Sequence, residues 1–138
     1  MNEQDIEAIA AQAVEYHGMK YSCAQSVACA TCHLAGLDAD EAYRLMEGFG
    51  AGMGGFDQVC GAVSGGVLVL GYANSDGREA RTTKPETHRI AHEFVQEFAA
   101  AHDGCTQCAD LRPADPASRR ATCDGYIAEA ARLVASRL

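Results

Sequence analysis

A chain of 138 residues, 48% apolar and 22% charged, has the composition of an ordinary globular protein and enough length to bury a core without covalent staples, so residues 1–138 are expected to form a single domain. The formal charge of -8, from 11 basic and 19 acidic residues, and the lack of a basic stripe in the sequence argue against a nucleic-acid partner and disfavour an anionic membrane surface. The acidic opening Met1-Asn2-Glu3-Gln4-Asp5 carries no apolar leader, and Val59 to Tyr72 is too short and glycine-rich for a bilayer span of about 20 residues, so the chain reads as cytoplasmic.

Ile6, Ile9, Ala10, Ala13 and Val14 recur at helical spacing and predict a first amphipathic helix ending near Gly18. Ser22 is placed to cap a second, running to about Gly36. Asp38, with Glu41 three residues on, makes a capping-box-like start for a third, whose Leu45, Met46 and Phe49 are expected to face inward. Gly48-Phe49-Gly50-Ala51-Gly52-Met53-Gly54-Gly55 reads as a loop, because neither helix nor strand tolerates that density of glycine.

Cys60 to Tyr72 is apolar on every side, the mark of a buried central element. Its Val-Leu-Val-Leu core suits a strand. A helix is preferred, because Gly61, Ala62 and Gly65 then fall on one face and admit a close neighbour, either inside the monomer or in a homodimer. Asn74 to Pro85 reads as a polar loop with a Ser-Asp-Gly turn. Pro85 starts a fifth helix, with Ile90, Phe94 and Phe98 at four-residue steps, that ends at Gly104. Asp115 and Pro116 begin the last, striped by Cys123, Ile127, Ala131, Val134 and Leu138. The expected architecture is all-α: a compact bundle of about five to six helices, with a glycine-rich loop before a buried central helix.

Seven cysteines in a reducing compartment serve more often as metal ligands or redox groups than as bridges, and the odd number excludes a fully paired framework. Cys60, at the start of the buried helix, is expected to be a thiolate stabilised by unpaired N–H groups and the helix dipole. The glycines around it, Gly52, Gly54 and Gly61, would let a ligand, cluster or second backbone come close. Cys105-Thr106-Gln107-Cys108 can form a redox disulfide or supply two metal ligands, though no strand precedes it as in a thioredoxin. Cys23, and Cys123 on its apolar stripe, read when taken alone as small core residues as readily as ligands.

Other strings are weaker. Cys29-Ala30-Thr31-Cys32-His33 matches the c-type haem attachment pattern, against which the missing leader argues. Gly50-x-Gly52-x-x-Gly55 matches a dinucleotide fingerprint, but no strand leads into it. His88 and His92 have chelating spacing, yet lie opposite the Ile90, Phe94 and Phe98 face and read as solvated. His17 and His102 fall near helix ends, where a cation complements the dipole.

Several of these segments together resemble a bacterial family of redox-active proteins named for its C-GCAxxG-C-C cysteine pattern. The segments are Ser22-Cys23-Ala24-Gln25, the glycine loop from Gly48 to Gly54, Cys60-Gly61-Ala62-Val63-Ser64-Gly65-Gly66, Phe98 through Gly104 to Cys108-Ala109-Asp110-Leu111, and Cys123. The resemblance selects Cys23, Cys60, Cys108 and Cys123 from the seven. It leaves Cys29, Cys32 and Cys105 as additions, with Cys105 a competing ligand or disulfide partner for Cys108.

The resemblance implies electron transfer with an unidentified redox partner. The four thiols would hold an iron–sulfur cluster, or act as two dithiol pairs of a thiol-disulfide oxidoreductase with Cys60 attacking. The family is also similar, more distantly, to a haem-bearing cytochrome group with an iron–sulfur centre. The alternatives are a zinc site on the same four cysteines, making a structural or interaction module, and a haem held by Cys29, Cys32 and His33.

Overall fold

Asn2 and Ser22 each open a helix with a reciprocal capping box. Asn2 accepts from the Asp5 N–H while Asp5 accepts from the Asn2 N–H, and Ser22 and Gln25 repeat the exchange. The computed structural model describes residues 1–138. Helix α1 spans Glu3–Gly18 and α2 Cys23–Thr31, the latter tightening into a 3-10 turn, Cys32–Ala35, that stops at Gly36 with φ of 73°. Helix α3, Ala39–Met46, starts from Asp38, which accepts from the Glu41 N–H but receives no reciprocal bond. The central α4 runs Gly61–Asn74, α5 Gly77–Ala80, α6 Lys84–Ala100, α7 Cys108–Leu111 and α8 Pro116–Arg137.

The all-α class is as expected, but there are eight helices rather than five to six. The extra ones, α5 and α7, are single turns inside polar or irregular segments, too short to carry a periodic signal. Helix α6 stops at Ala100, before Gly104, whose φ of 81° belongs to the turn that follows.

Leu45 and Phe49 correct the inward face expected of the third helix: they are 49% and 38% exposed, while Met46 is buried. Ala42 and Met46, one turn apart, form the stripe that meets the core. After Met46 the chain tightens into a 3-10 turn, Glu47–Phe49, whose shorter period swings Phe49 outward. Leu138, at the end of the α8 stripe, is likewise exposed.

Helix α4 lies against α2, α6 and α8, and its small residues set how closely. A Cβ on Gly61 would stand 2.7 Å from the Ala24 nitrogen, and one on Gly65 2.6 Å from the Ala24 carbonyl oxygen. Gly66 receives the tip of the Phe94 ring, which a Cβ there would meet at 2.3 Å. The small-residue face is therefore used within the monomer against α2, not offered to a second copy. Val27, Val69, Phe94, Phe98, Ile127 and Val134 fill the core, each contributing about 1.5–3 kcal/mol by burial. No helix is long and apolar enough to cross a membrane.

Candidate thiol site

Four helix positions bring the expected cysteines into one neighbourhood. Cys23 is the first residue of α2, fixed by the Ser22 box; Cys60 caps α4; Cys108 opens α7; Cys123 lies on α8 one turn before Ile127. The glycine loop holds two of these in register. Ala51, Gly52, Met53 and Gly54 are four successive left-handed residues, and Phe56 is a fifth. For the three that are not glycine, that conformation costs about 1–2 kcal/mol each.

The loop is closed by the Gln58 N–H, which donates to the Gly52 carbonyl at 3.2 Å. From there an antiparallel bridge, Val59 to Gln107, ties the segment before α4 to the segment before α7. Its bonds run from the Cys60 N–H to the Thr106 carbonyl at 2.8 Å, and from the Cys108 N–H to the Gln58 carbonyl at 2.7 Å. Gly52 backs directly onto Cys108, where a Cβ would lie 2.5 Å from the Cys108 Cβ. Gly52 thus adjoins Cys108, and Gly61 adjoins Cys23, whose Cβ a Cβ on Gly61 would meet at 3.1 Å. Gly54 adjoins neither: it is exposed, with open space around it.

A cavity of about 490 Å³ opens onto Cys23, Cys108 and Cys123. Cys60 is buried and is not among the cavity's walls. Cys23 and Cys123 stand side by side, and each perturbs the other's ionisation more than any other group does. Contact with Cys123, then burial, then the nearby Cys60 raise Cys23 and keep it a thiol. Cys123 is lowered, first by its contact with Cys23 and further by Arg112 and Arg119, against burial and Asp124.

The thiolate expected at Cys60 is corrected. The N–H groups of Ala62 and Val63 do favour its charged form, but burial outweighs them and pushes the thiol up to about 11. Burial also raises Cys108, with the neighbouring Cys123 adding to it and Arg112 opposing.

The remaining cysteines stay outside this group. Thr106 and Gln107 are drawn into the bridge beside Cys60, so the Cys-x-x-Cys segment is extended there, and Cys123 is the thiol that perturbs Cys108. Cys105 is half-buried, its Sγ donating weakly to the Asp103 carbonyl at 3.8 Å.

Cys29 and Cys32 point into the core at 7% and 2% exposure, bonded to the carbonyls of Ala39 and Cys29. His33 faces solvent. Thiols and imidazole on opposite sides of the backbone do not fit covalent haem. His88 and His92 are exposed, as their polar face predicts. His17 pairs with Asp124 at 2.6 Å, and His102 donates to the Phe98 carbonyl at 2.7 Å.

No three His, Cys, Asp or Glu side chains converge into a set that could hold a metal ion. Cys23 feels all three of the other thiols, and Cys60 and Cys108 each feel Cys123, so the four sulfurs share one neighbourhood. Sequence reasoning missed the cations of the cavity wall, Lys20, Arg112, Arg119 and Arg120. A signal for two of them was present: Arg112 follows Cys108 by four residues and Arg119 precedes Cys123 by four, the spacing of neighbours on one helical face.

No curated protein and no solved structure matches the chain. A family model matches residues 21–137, a span that holds all four cysteines of the site, the glycine loop and the Cys-Gly-Ala-x-x-Gly string. The chain belongs to the family described as "Putative redox-active protein (C_GCAxxG_C_C)".

Proposed function

We propose that the protein is a thiol-disulfide redox protein whose working couple is Cys23 and Cys123. The observation that carries this reading is the placement of both thiols on the wall of one open cavity, where each shifts the other's ionisation more than any other group does, Cys23 upward and Cys123 downward. A thiolate with a thiol beside it is the arrangement that disulfide exchange uses.

In the first step the Cys123 thiolate attacks a disulfide R–S–S–R, forming Cys123–S–S–R and expelling RS⁻. That attack removes the charge that raised Cys23, so Cys23 gives up its proton more readily once the mixed disulfide exists. Cys23 then attacks the Cys123 sulfur, forming the Cys23–Cys123 disulfide, and its proton leaves on the second RSH. Two electrons pass from the protein dithiol to the substrate disulfide; the reverse sequence oxidises a dithiol. Cys108, which acts on the ionisation of the buried Cys60, makes with it the second pair that would re-reduce the first by the same exchange.

The test is single-turnover reaction of the reduced protein with bis(2-hydroxyethyl) disulfide. C123S is expected to slow the reaction at least tenfold, and C23S to stall as a stable adduct on Cys123 detected by intact mass. A C123S protein as fast as the native chain would overturn the reading.

A further inference from the structure

The cavity in front of Cys123 carries an unusual charge for a chain of formal charge -8. Lys20, Arg112, Arg119 and Arg120 line it, and no carboxylate does. Of the 11 Lys and Arg residues, Arg44, Arg89, Arg132 and Arg137 are ion-paired with glutamates elsewhere on the molecule. None of the four cavity cations has such a partner, and the other three unpaired ones, Arg78, Arg81 and Lys84, border the exposed turn around Asp76.

Two of the cavity cations are held in place without being neutralised. Arg112 stacks over the Phe56 ring at 3.9 Å, and Arg119 donates to the Pro113 and Ala114 carbonyls at 3.0 and 3.1 Å. Two acids act on these thiols from outside the cavity lining: Asp124, bonded to His17 and opposing the arginines at Cys123, and the exposed Asp57 at Cys108. Unpaired cations concentrated around a reactive sulfur attract an anion and would repel a cationic substrate.

We propose, resting on the dithiol reading above, that this cavity selects an anionic disulfide, one bearing carboxylate or phosphate groups near its S–S bond. Arg112 and Arg119 are the cations that act on the attacking Cys123 sulfur, while Lys20 and Arg120 complete the positive wall of the same cavity. The balance is that of the exchange already written: two electrons leave the Cys23–Cys123 dithiol, the substrate S–S bond breaks, and two anionic thiols depart.

The experiment compares three probes with the reduced protein: 3,3′-dithiodipropionate (anionic), bis(2-hydroxyethyl) disulfide (neutral) and cystamine (cationic). Each rate is divided by that probe's rate with a small free thiol. The expected order is anion over neutral over cation, with the anion favoured over the neutral probe about tenfold at low salt and the advantage shrinking as salt screens the field. The double variant K20E/R120E, whose side chains hold no hydrogen bond in the fold, is expected to cancel or invert the order, a change that misfolding alone does not produce. Equal corrected rates for all three probes would overturn this inference and leave the dithiol reading standing. Absence of reaction with every probe would overturn the dithiol reading itself.

Discussion

Gly52 and Cys108 approach so closely that a single methyl group does not fit between them: a Cβ on the glycine would lie 2.5 Å from the Cys108 Cβ. The same glycine has φ of 55°, so it meets two requirements that only glycine satisfies together. Gly52→Ala is expected to destabilise the protein by about 2–4 kcal/mol, combining left-handed strain with overlap. Gly54→Ala shares the strain, with φ of 90°, but meets open space, and is expected to cost about 1–2 kcal/mol. Denaturant unfolding of both variants checks the difference; equal losses would mean that the contact with Cys108 contributes nothing.

Ser22→Ala removes the side-chain oxygen that accepts from the Gln25 N–H at 3.2 Å, immediately before Cys23. A loss of about 1 kcal/mol is expected, together with faster hydrogen exchange at the first turn of α2. Gln25 should partly hold the turn, because its Nε2 also donates to the Tyr43 carbonyl at 3.1 Å.

The thiols give a pH signature with a definite sign. Cys123, lowered to about 7, should be alkylated by iodoacetamide with a rate that rises through pH 7, and Cys23→Ala should move that midpoint upward. Cys60, pushed up to about 11, should stay unreactive across that range. In stability, the Cys123 contribution is present above its ordinary value of 9.0 and is lost as pH falls through about 7. The Cys60 contribution is present below 9.0 and is lost as pH rises through about 11. Cys123→Ala should therefore flatten the rise in stability between pH 7 and 9, and Cys60→Ala the fall above 9; unfolding curves at stepped pH read both.

Much of the fold was legible where one residue type has one physical use. Ser22, Asp38 and Asp115 start helices as their side chains predict, and Gly61 and Gly65 decided correctly for a helix over a strand because both meet Ala24. The four cysteines came from a family pattern rather than from periodicity, which alone left Cys23 and Cys123 ambiguous. What was hidden depends on tertiary context. Leu45 faces outward because the inward stripe of α3 is Ala42 and Met46, and Phe49 because a 3-10 turn breaks the helical period after Met46. Cys60 is neutral because burial outweighs the backbone N–H groups at its helix start. The cationic wall is assembled from Lys20, Arg112 and the Arg119–Arg120 pair, three segments that no local window unites.

The central claim rests on which two sulfurs meet, and the most direct measurement is peptide mapping of disulfides after oxidation of the fully reduced protein with one equivalent of a small disulfide. The expected product carries a Cys23–Cys123 linkage, with Cys29 and Cys32 remaining free thiols in the core. A disulfide confined to Cys105 and Cys108, with Cys23 and Cys123 both recovered as free thiols, would contradict it.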